Sequence, residues 1–319
     1  MDRFDDPFID RFIGGLIGLM AGDALGQPVE GWPAALIEAR HGWLKDMIPG
    51  RFPAGSYTDD CQMAIGLLES LIQAGGFDPS VCAARFLANF NPDRGYGGRI
   101  QGVMDRLARG EGWNEAGTDS FGNGAAMRVG PVGLWFAADP EGLTRAALDQ
   151  ARITHTHPQA LAGALVQAAC VAEAFRAGTE DRPLEPAAII SELSRRAGAV
   201  DQETAQRIGS LLELKPAPPP QLRPQLGRLF AGDVRAIEAV PPAVGAVLLT
   251  ASFEEAVSLA INLGGDTDTI GAMAGAAAGA YYGASAIPER WWEALENEPG
   301  SGRDYLVGLG RQAVKLLGH

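Results

Sequence analysis

The sequence predicts an all-α protein, built as a compact bundle of many helices. Apolar residues recur three or four positions apart through most of the chain, which is the spacing of an amphipathic helix. No segment has the alternation of apolar and polar residues that is typical of a half-buried strand. The 319 residues contain one linker-like stretch, at 215–220, which is short and flanked by predicted helices. We therefore predict a single domain, residues 1–319.

The positions of the helices follow from this periodicity and from the residues at their ends. Pro28 ends the first helix, and short loops rich in Gly, Asp or Thr precede several later ones. In chain order, the predicted helices are residues 9–25, 59–74, 79–91, 97–109, 124–137, 140–151, 158–177, 186–197, 201–213, 222–231, 233–239, 241–250, 253–262, 267–282, 288–296 and 303–317.

Glycines at every fourth position mark two of these helices. A spacing of four places each row along one helix face, and each interior Gly costs about 0.5–1 kcal/mol relative to Ala. Close approach of two buried backbones offsets such a cost, so we predict central helices that pack at short range. The rows are Gly14, Gly18, Gly22 and Gly26, and Gly271, Gly275, Gly279 and Gly283.

The composition limits the kinds of partner. The formal net charge of -13 argues against a nucleic-acid surface and an anionic membrane surface, but not against a nucleotide held in a pocket. The longest apolar stretch, 12–25, is interrupted by four glycines and Asp23, so it does not predict a membrane span. Three cysteines without metal or disulfide spacing indicate a reducing compartment. We expect a cytoplasmic protein that is a monomer.

Two acidic clusters far apart in the chain are the strongest functional signal. They lie at 58–60 (Thr-Asp-Asp) and 264–269 (Gly-Gly-Asp-Thr-Asp-Thr), each just before a predicted helix. Carboxylates are favoured at a helix N-terminus, so one alternative is a pair of ordinary N-caps. An oxygen-only set of this size suits Mg²⁺ or Mn²⁺ better than zinc. The two clusters together favour a shared metal site.

Glu30 and His155 are isolated candidates. Glu30 follows the helix-ending Pro28 and so lies on a loop, where most glutamates are simply solvated. His155 could bind zinc together with His157. Because no cysteine is nearby, we favour a ligand contact or a satisfied hydrogen bond for His155.

Two glycine-rich loops, 91–99 and 120–128, each lead into a predicted helix. Backbone N–H groups in such a loop can bind phosphate, although a tight turn is the alternative for the first loop. Gly122 and Gly124 in the second would let a ligand approach the backbone closely. The first loop has neither the lysine of a P-loop nor the preceding strand of a dinucleotide-binding turn.

Taken together and in this order, these segments resemble the ADP-ribosylglycohydrolase family, which includes the dinitrogenase-reductase-activating glycohydrolase. The similarity spans residues 12–283, and the combination is far more specific than any one segment. The stretch NPDRGYGG at 91–98 is most similar to the branch with the serine-directed hydrolases. The matching segments are GDALGQPVE at 22–30, YTDD at 57–60, FGNGAAMR at 121–128, THTHP at 154–158 and GGDTDTIGAMAGAAAGAYYG at 264–283.

The resemblance implies an all-α fold around two Mg²⁺ ions and a substrate of ADP-ribose attached to a protein side chain or a small acyl group. It implies that Glu30 is a mobile-loop glutamate that guards the site. One departure is Cys61, where many members have Thr. The implied metal ligands are Thr58, Asp59, Asp60, Asp266, Asp268 and Thr269. The implied phosphate, ribose and other substrate contacts are Gly95, Tyr96, Gly97, Gly98, Gly122, Asn123, Gly124 and His155.

The expected reaction is cleavage by water at the ribose anomeric carbon. The metal ions would bind ribose hydroxyls and hold the water, and Asp266 or Glu30 would be the general base or acid, between which the sequence does not decide. One rival is a metal-dependent phosphohydrolase of the nucleotide part, which would release AMP. Another is a catalytically silent ADP-ribose-binding protein, against which the complete acidic set and Glu30 both speak.

Overall fold

Helices joined by turns make up the fold in the computed structural model, which describes residues 4–319. The α-helices are α1 (Pro7–Gly26), α2 (Ala34–His41), α3 (Asp59–Ala74), α4 (Pro79–Asn89), α5 (Gly98–Ala108), α6 (Gly124–Met127), α7 (Gly130–Trp135), α8 (Pro140–Arg152), α9 (Pro158–Thr179), α10 (Pro186–Gly198), α11 (Gln202–Gly209), α12 (Pro219–Leu229), α13 (Ala236–Leu249), α14 (Phe253–Asn262), α15 (Thr267–Tyr282), α16 (Glu289–Ala294) and α17 (Arg303–Leu316). Short 3₁₀ turns lie at Gln27–Val29, Pro92–Arg94, Ser210–Glu213 and Ala284–Ala286. Across residues 4–319 no strand forms and β-bridges occur singly, which confirms the predicted all-α fold.

Acidic side chains fix the start of several helices. Asp78 accepts hydrogen bonds from the N–H groups of Ser80 and Val81 at 2.8 and 2.9 Å. Asp139 accepts one from Gly142 at 2.9 Å. Proline follows each of these caps at the first helical position, where no N–H is needed. Local sequence therefore sets the starts of α4 and α8.

The two helices with glycine rows, α1 and α15, form the centre of the fold. Every residue of α1 from Phe12 to Gly26 is buried, and so is every residue of α15 from Thr267 to Ala280. A Cβ atom added to a glycine of either row would overlap backbone atoms of the other helix, except at Gly283, just after α15, where it would meet the Asp10 side chain. The predicted short-range packing is confirmed. The facing pairs are Gly14 with Gly279, Gly18 with Gly275, and Gly22 with Gly271.

Gly18→Ala is expected to destabilise the protein, although alanine is the better helix former. Elsewhere in a helix the change would gain roughly 0.5–1 kcal/mol, but here the methyl group would meet the Gly275 carbonyl. Overpacking costs typically about 1–3 kcal/mol, so thermal melting should occur a few degrees lower. Gly308→Ala in α17, with open space around its Cβ position, is the matched control and should melt no lower than wild type. Equal melting of the two variants would contradict the close-packing account.

Two differences from the predicted helices have local causes. The predicted helix 124–137 is divided into α6 and α7, because Pro131 lacks the N–H that would bond the Met127 carbonyl. α2 was not predicted. Only Ile37 among its 8 residues is buried, so no apolar repeat marks it.

A third difference has a tertiary cause. The predicted helices 233–239 and 241–250 join as α13, with Pro241 and Pro242 inside it. Proline disfavours a helix interior because it removes a hydrogen bond. Every residue of α13 is buried, however, and this packing outweighs the local preference.

Of the helices within residues 4–319, α9 is long and apolar enough to cross a membrane by length and composition. In the fold, 83% of its most apolar stretch is buried. Gln167 near its middle donates a hydrogen bond to the Met273 carbonyl of α15 at 2.8 Å. The apolar character of α9 is therefore that of a core helix packed against the central pair.

Candidate active site

The N-terminal ends of α3 and α15 are brought together by α1. Asp23 on α1 accepts hydrogen bonds from the backbone N–H groups of Thr58 and Cys61 at 3.0 Å, which attaches the start of α3 to α1. Thr267 at the start of α15 donates its hydroxyl to the Gly26 carbonyl of α1 at 2.8 Å. Both acidic clusters therefore lie at the same end of α1.

A cleft of about 430 Å³ opens at this end of α1. Its wall includes both acidic clusters, Glu30, both glycine loops and His155, which are far apart in the chain. The predicted site residues that line it are Glu30, Asp59, Asp60, Gly95, Gly97, Gly98, Gly122, Asn123, Gly124, His155, Asp266, Asp268 and Thr269. Two further predicted residues, Thr58 and Tyr96, lie outside this wall.

Several buried carboxylates lie close to one another at and behind the acidic end of the cleft. Burial raises the pKa of Asp23 to about 7, against backbone hydrogen bonds that lower it. Burial and then the charge of Asp23 raise the pKa of Asp59 to about 7. The pKa values of Asp60 and Asp268 are held well above the usual range, first by burial and then by neighbouring carboxylates. Burial also raises the pKa of Asp266. A cation bound among these carboxylates would offset their mutual repulsion, so this end of the cleft is suited to cation binding.

The metal-free protein is expected to lose stability as the pH rises from about 4 to about 8. Each of these carboxylates has a folded-state pKa above its unfolded value of about 3.9. The folded chain thus binds more protons than the unfolded chain, and the free energy of unfolding falls as the pH rises. For Asp23 and Asp59 the loss is spread between the unfolded value and about 7. Urea unfolding of chelator-treated protein at pH 5 and pH 8 measures this, and greater stability at pH 8 would contradict it.

The donor atoms at the acidic end suit a hard divalent cation. One oxygen atom each from Glu30, Asp266 and Asp268 lie within 4.8 Å of one another. Oδ2 of Asp60 is buried and has no hydrogen-bond partner among residues 4–319, so it is available to a cation. Every donor is an oxygen atom, the type that Mg²⁺ and Mn²⁺ prefer. The residues present therefore fit the predicted kind of cofactor.

Glu30 lies at the cleft on a turn that is attached to the start of α15. The Gly31 N–H donates to the Gly265 carbonyl at 2.7 Å, and the Gly265 N–H donates to the Trp32 carbonyl at 2.9 Å. The sequence suggested a free loop; the structure shows a turn held by backbone hydrogen bonds to a distant segment. The carboxylate lies partly inside the cleft, where burial and then the charge of Asp266 raise the pKa of Glu30.

Arg94, just before the first glycine loop (residues 95–98), attaches that loop to the C-terminal part of the chain. The Arg94 guanidinium donates to Oε2 of Glu296 at 2.8 Å, which joins the loop to the segment after α16. Gly95 has a φ of 102°, a conformation that favours glycine. A Cβ there would lie 3.6 Å from Oδ1 of Asp59. The loop backbone therefore lies directly beside the acidic end of the cleft.

Tyr96 and Thr58 have structural contacts that explain their positions outside the cleft wall. The buried Tyr96 ring packs edge-on against Phe90, with 4.7 Å between ring centroids. Because the ring packs in the interior and does not line the cleft, the structure does not favour a substrate contact by it. Thr58 is the N-cap of α3, and its Oγ1 accepts a hydrogen bond from the Asp60 N–H at 3.4 Å. A role for Thr58 as a metal ligand stays a prediction.

The second glycine loop, residues 122–124, connects the acidic end of the cleft to His155. Asn123 donates from Nδ2 to Oδ2 of Asp266 at 2.6 Å and so fixes the orientation of that carboxylate. The Asn123 N–H donates to the Val234 carbonyl at 2.9 Å. Besides lining the cleft, Asn123 therefore positions Asp266, which the sequence did not indicate.

His155 lines the cleft beside the second glycine loop, and its side chain is buried. Its Nδ1 lies 2.7 Å from Oγ1 of Thr154. A Cβ at Gly124 would lie 3.1 Å from Cε1 of His155, so glycine lets the ring pack on the loop backbone. Burial, followed by the charges of Arg128 and Arg99, lowers the pKa of His155 to about 3. The imidazole is thus neutral near pH 7 and suits a hydrogen bond.

His157 has a local role at the start of α9. Nδ1 of His157 accepts a hydrogen bond from the Gln159 N–H at 3.2 Å, as a cap of α9. Within residues 4–319, the group of acidic or metal-binding side chains arranged to hold a metal ion is that of Glu30, Asp266 and Asp268. The structure therefore favours hydrogen bonding over zinc binding for His155 and His157.

Several residues at the cleft had no assignment from the sequence. Phe121 and Val234 are 40% and 61% exposed and give the cleft an apolar rim. Arg99, which follows the first glycine loop directly, also lines the cleft. Asp23, which lies behind the cleft wall, did have a signal, because a buried acid in an apolar helix is costly unless it is paired. No signal in the sequence marked Val234, because its position at the cleft depends on a tertiary contact with Asn123.

Comparison with known proteins gives consistent matches over the whole chain. Residues 5–318 match ADP-ribosylglycohydrolase as a family. The chain is 30% identical over 335 residues to ADP-ribosylhydrolase ARH3 of Homo sapiens, with 90% of each protein covered. It is 31% identical over 295 residues to ADP-ribosyl-[dinitrogen reductase] glycohydrolase of Rhodospirillum rubrum, again with 90% of each covered. A solved structure described as an ADP-ribosylglycohydrolase-related protein complex matches with a TM-score of 0.78 and 32% identity, over 97% of this chain and 98% of that chain.

Proposed function

Because the chain belongs to the ADP-ribosylglycohydrolase family and is an ADP-ribosyl hydrolase, we propose that it uses two divalent cations, Mg²⁺ or Mn²⁺, to release ADP-ribose from protein side chains or small conjugates. The bond cleaved is the one at the ribose anomeric carbon. The observation that carries this proposal is the convergence of two distant acidic clusters and Glu30 in one cleft.

The cations would be held at the acidic end of the cleft. When bound, they neutralise the carboxylates, polarise substrate oxygens and make a water molecule more acidic. The buried Oδ2 of Asp60 without a partner and the raised carboxylate pKa values support this assignment. The proposed ligands are Thr58, Asp59, Asp60, Asp266, Asp268 and Thr269.

The rest of the cleft fits the other parts of ADP-ribose. Backbone N–H groups of the two glycine loops suit the diphosphate, and Arg99 adds a positive charge beside them. The exposed Phe121 ring offers an apolar surface on which a purine can stack. This arrangement would direct the anomeric carbon toward the carboxylates and the adenine toward the rim.

Glu30 is our choice for the general base, ahead of Asp266. Asp266 is buried and already accepts a hydrogen bond from Asn123, which suits a fixed ligand. Glu30 lies at the acidic end of the cleft but is an exposed residue, so its carboxylate is open to water. As the water oxygen bonds to the anomeric carbon, the proton of that water passes to Glu30. The bond to the side chain or acyl oxygen or nitrogen breaks, and the proton taken up by Glu30 is then returned, directly or through water, to the leaving group.

Product identification tests the proposed reaction. The protein should be incubated with arginine-, serine- and O-acetyl-linked ADP-ribose, with Mg²⁺ and with chelator, and the products separated by chromatography. We expect intact ADP-ribose from at least one conjugate, and only when the cation is present. Release of AMP would identify a phosphohydrolase, and binding without any product would identify a silent ADP-ribose-binding protein.

A cytoplasmic monomer is the form in which we expect the enzyme to act. Three buried cysteines remain free thiols in the fold, as suits a reducing compartment. Residues of one chain supply every part of the cleft described above, so the proposed reaction does not need a second copy. Light scattering on the purified protein and fractionation of cells would test these two expectations.

A further inference from the structure

The His155 ring is attached to a buried polar network that extends away from the cleft. Arg128 is fully buried and donates from Nε to Oε1 of Gln150 at 2.9 Å. Its Nη2 donates to the Gln150 carbonyl at 2.9 Å and to Oγ1 of Thr154 at 2.8 Å. Thr154 Oγ1 in turn lies 2.7 Å from Nδ1 of His155. Arg128, Thr154 and His155 thus form a continuous chain of hydrogen bonds.

Counting protons along this chain determines which histidine nitrogen is protonated. A guanidinium group can only donate, so Thr154 Oγ1 accepts from Arg128 and keeps its own proton to donate. Two acceptors compete for that proton: Nδ1 of His155 at 2.7 Å and the Ala151 carbonyl at 3.5 Å. The first distance is ideal for a hydroxyl donor and the second is too long. The hydroxyl proton therefore points to Nδ1, and the ring proton is on Nε2.

We propose that Arg128 and Thr154 are positioning residues that fix His155 as the Nε2–H tautomer, so that it presents a hydrogen-bond donor to the cleft. This inference rests on the proposed function only in naming the ligand: an acceptor oxygen of the ribose or phosphate part of the substrate. The reverse tautomer would present an unprotonated nitrogen, which repels such an oxygen. Arg128, which lies outside the cleft wall, thus determines that Nε2 of His155 favours a hydrogen-bond acceptor of the ligand over a donor.

The position of the ring supports this assignment. Nε2 lies toward the second glycine loop: a Cβ at Gly122 would be 3.6 Å from it, and a Cβ at Gly124 would be 3.4 Å from it. Among residues 4–319, Thr154 is the hydrogen-bond partner of the ring, which leaves Nε2 for a ligand. The charged groups that act on the ring, Arg128 and Arg99, are both cations and disfavour the imidazolium form.

Imidazole nitrogen NMR on the metal-loaded protein tests the tautomer directly. The protein should be labelled with ¹⁵N at its four histidines, with His155→Gln used to assign the resonance. Long-range ¹H–¹⁵N correlation should show a protonated Nε2 and an unprotonated Nδ1 for His155. A protonated Nδ1 in wild type would overturn the proposal. Because this measurement needs no substrate, it can succeed even if the proposed hydrolysis is not found.

Substitution of Thr154 separates positioning from folding. Thr154→Val keeps the shape but removes the hydroxyl, so the His155 spectrum should show mixed tautomers, whereas Thr154→Ser should retain the wild-type pattern. If hydrolysis is found, the valine variant should raise KM roughly tenfold with kcat nearly unchanged, as expected for one lost ground-state hydrogen bond. An unchanged tautomer in the valine variant would overturn the role of Thr154. A folded valine variant with mixed tautomers but wild-type KM would show that Nε2 contacts no substrate.

Discussion

Asp268→Asn is expected to lower hydrolysis at least about a hundredfold, since even outer-shell changes at metal sites cost 10–100-fold. Asp268 is buried, and its carboxylate is one of the three whose oxygens converge within 4.8 Å. The amide keeps the volume and one carbonyl oxygen but removes the negative charge. The loss should therefore come from weaker cation binding rather than from a collapsed fold.

Thermal melting separates these causes. Neutralising one of several buried, mutually repelling carboxylates should leave the metal-free protein at least as stable as wild type. The gain in melting temperature on adding Mg²⁺ should be much smaller than in wild type, because that gain depends on affinity for the folded state. Asp105→Asn, an exposed position on α5, is the matched control and should change neither quantity. Full activity of the Asp268 variant would exclude this carboxylate from the metal site.

The centre of the fold could be predicted from the sequence because its cause is local and repeated. Glycine at every fourth position has one common structural reason, close helix contact, and α1 and α15 show it. The division of α6 from α7 has an equally local cause, Pro131, although the predicted helix 124–137 missed it. The joining of two predicted helices into α13, across Pro241 and Pro242, has no local cause. Burial of α13 against other helices stabilises it instead. Local preference therefore failed where tertiary packing decides.

The same distinction applies to the cleft. The residues with unusual chemistry, such as Asp60 and Asp268, could be located from the sequence because many carboxylates at two helix starts need a common explanation. The orientation of the side chains could not be predicted from the sequence. Tyr96 adjoins glycines that line the cleft, yet its ring packs against Phe90. Asn123 binds Asp266 through a contact that no spacing in the sequence reveals.

Glu30→Gln is expected to slow turnover about a hundredfold or more, in line with the 10²–10⁴-fold contribution of general bases, and to leave Mg²⁺ affinity within about threefold of wild type. An amide cannot take up the proton of the attacking water. The turn itself should persist, because Gly31 and Trp32 hold it to Gly265 through backbone atoms alone. The substitution therefore changes the chemistry at one carboxylate without releasing the segment.

The competing role for Glu30 is that of a metal ligand, since one of its oxygens lies within 4.8 Å of those of Asp266 and Asp268. Calorimetric Mg²⁺ titration beside steady-state hydrolysis separates the two roles. In the base role, Glu30→Gln loses rate and keeps affinity, whereas Asp268→Asn loses both. Exposed Glu213→Gln is the matched control and should keep both. Loss of cation binding in the Glu30 variant would make Glu30 a ligand, and wild-type values for both quantities would make it a solvated loop residue. Either result would leave Asp266 as the carboxylate to test next as the base.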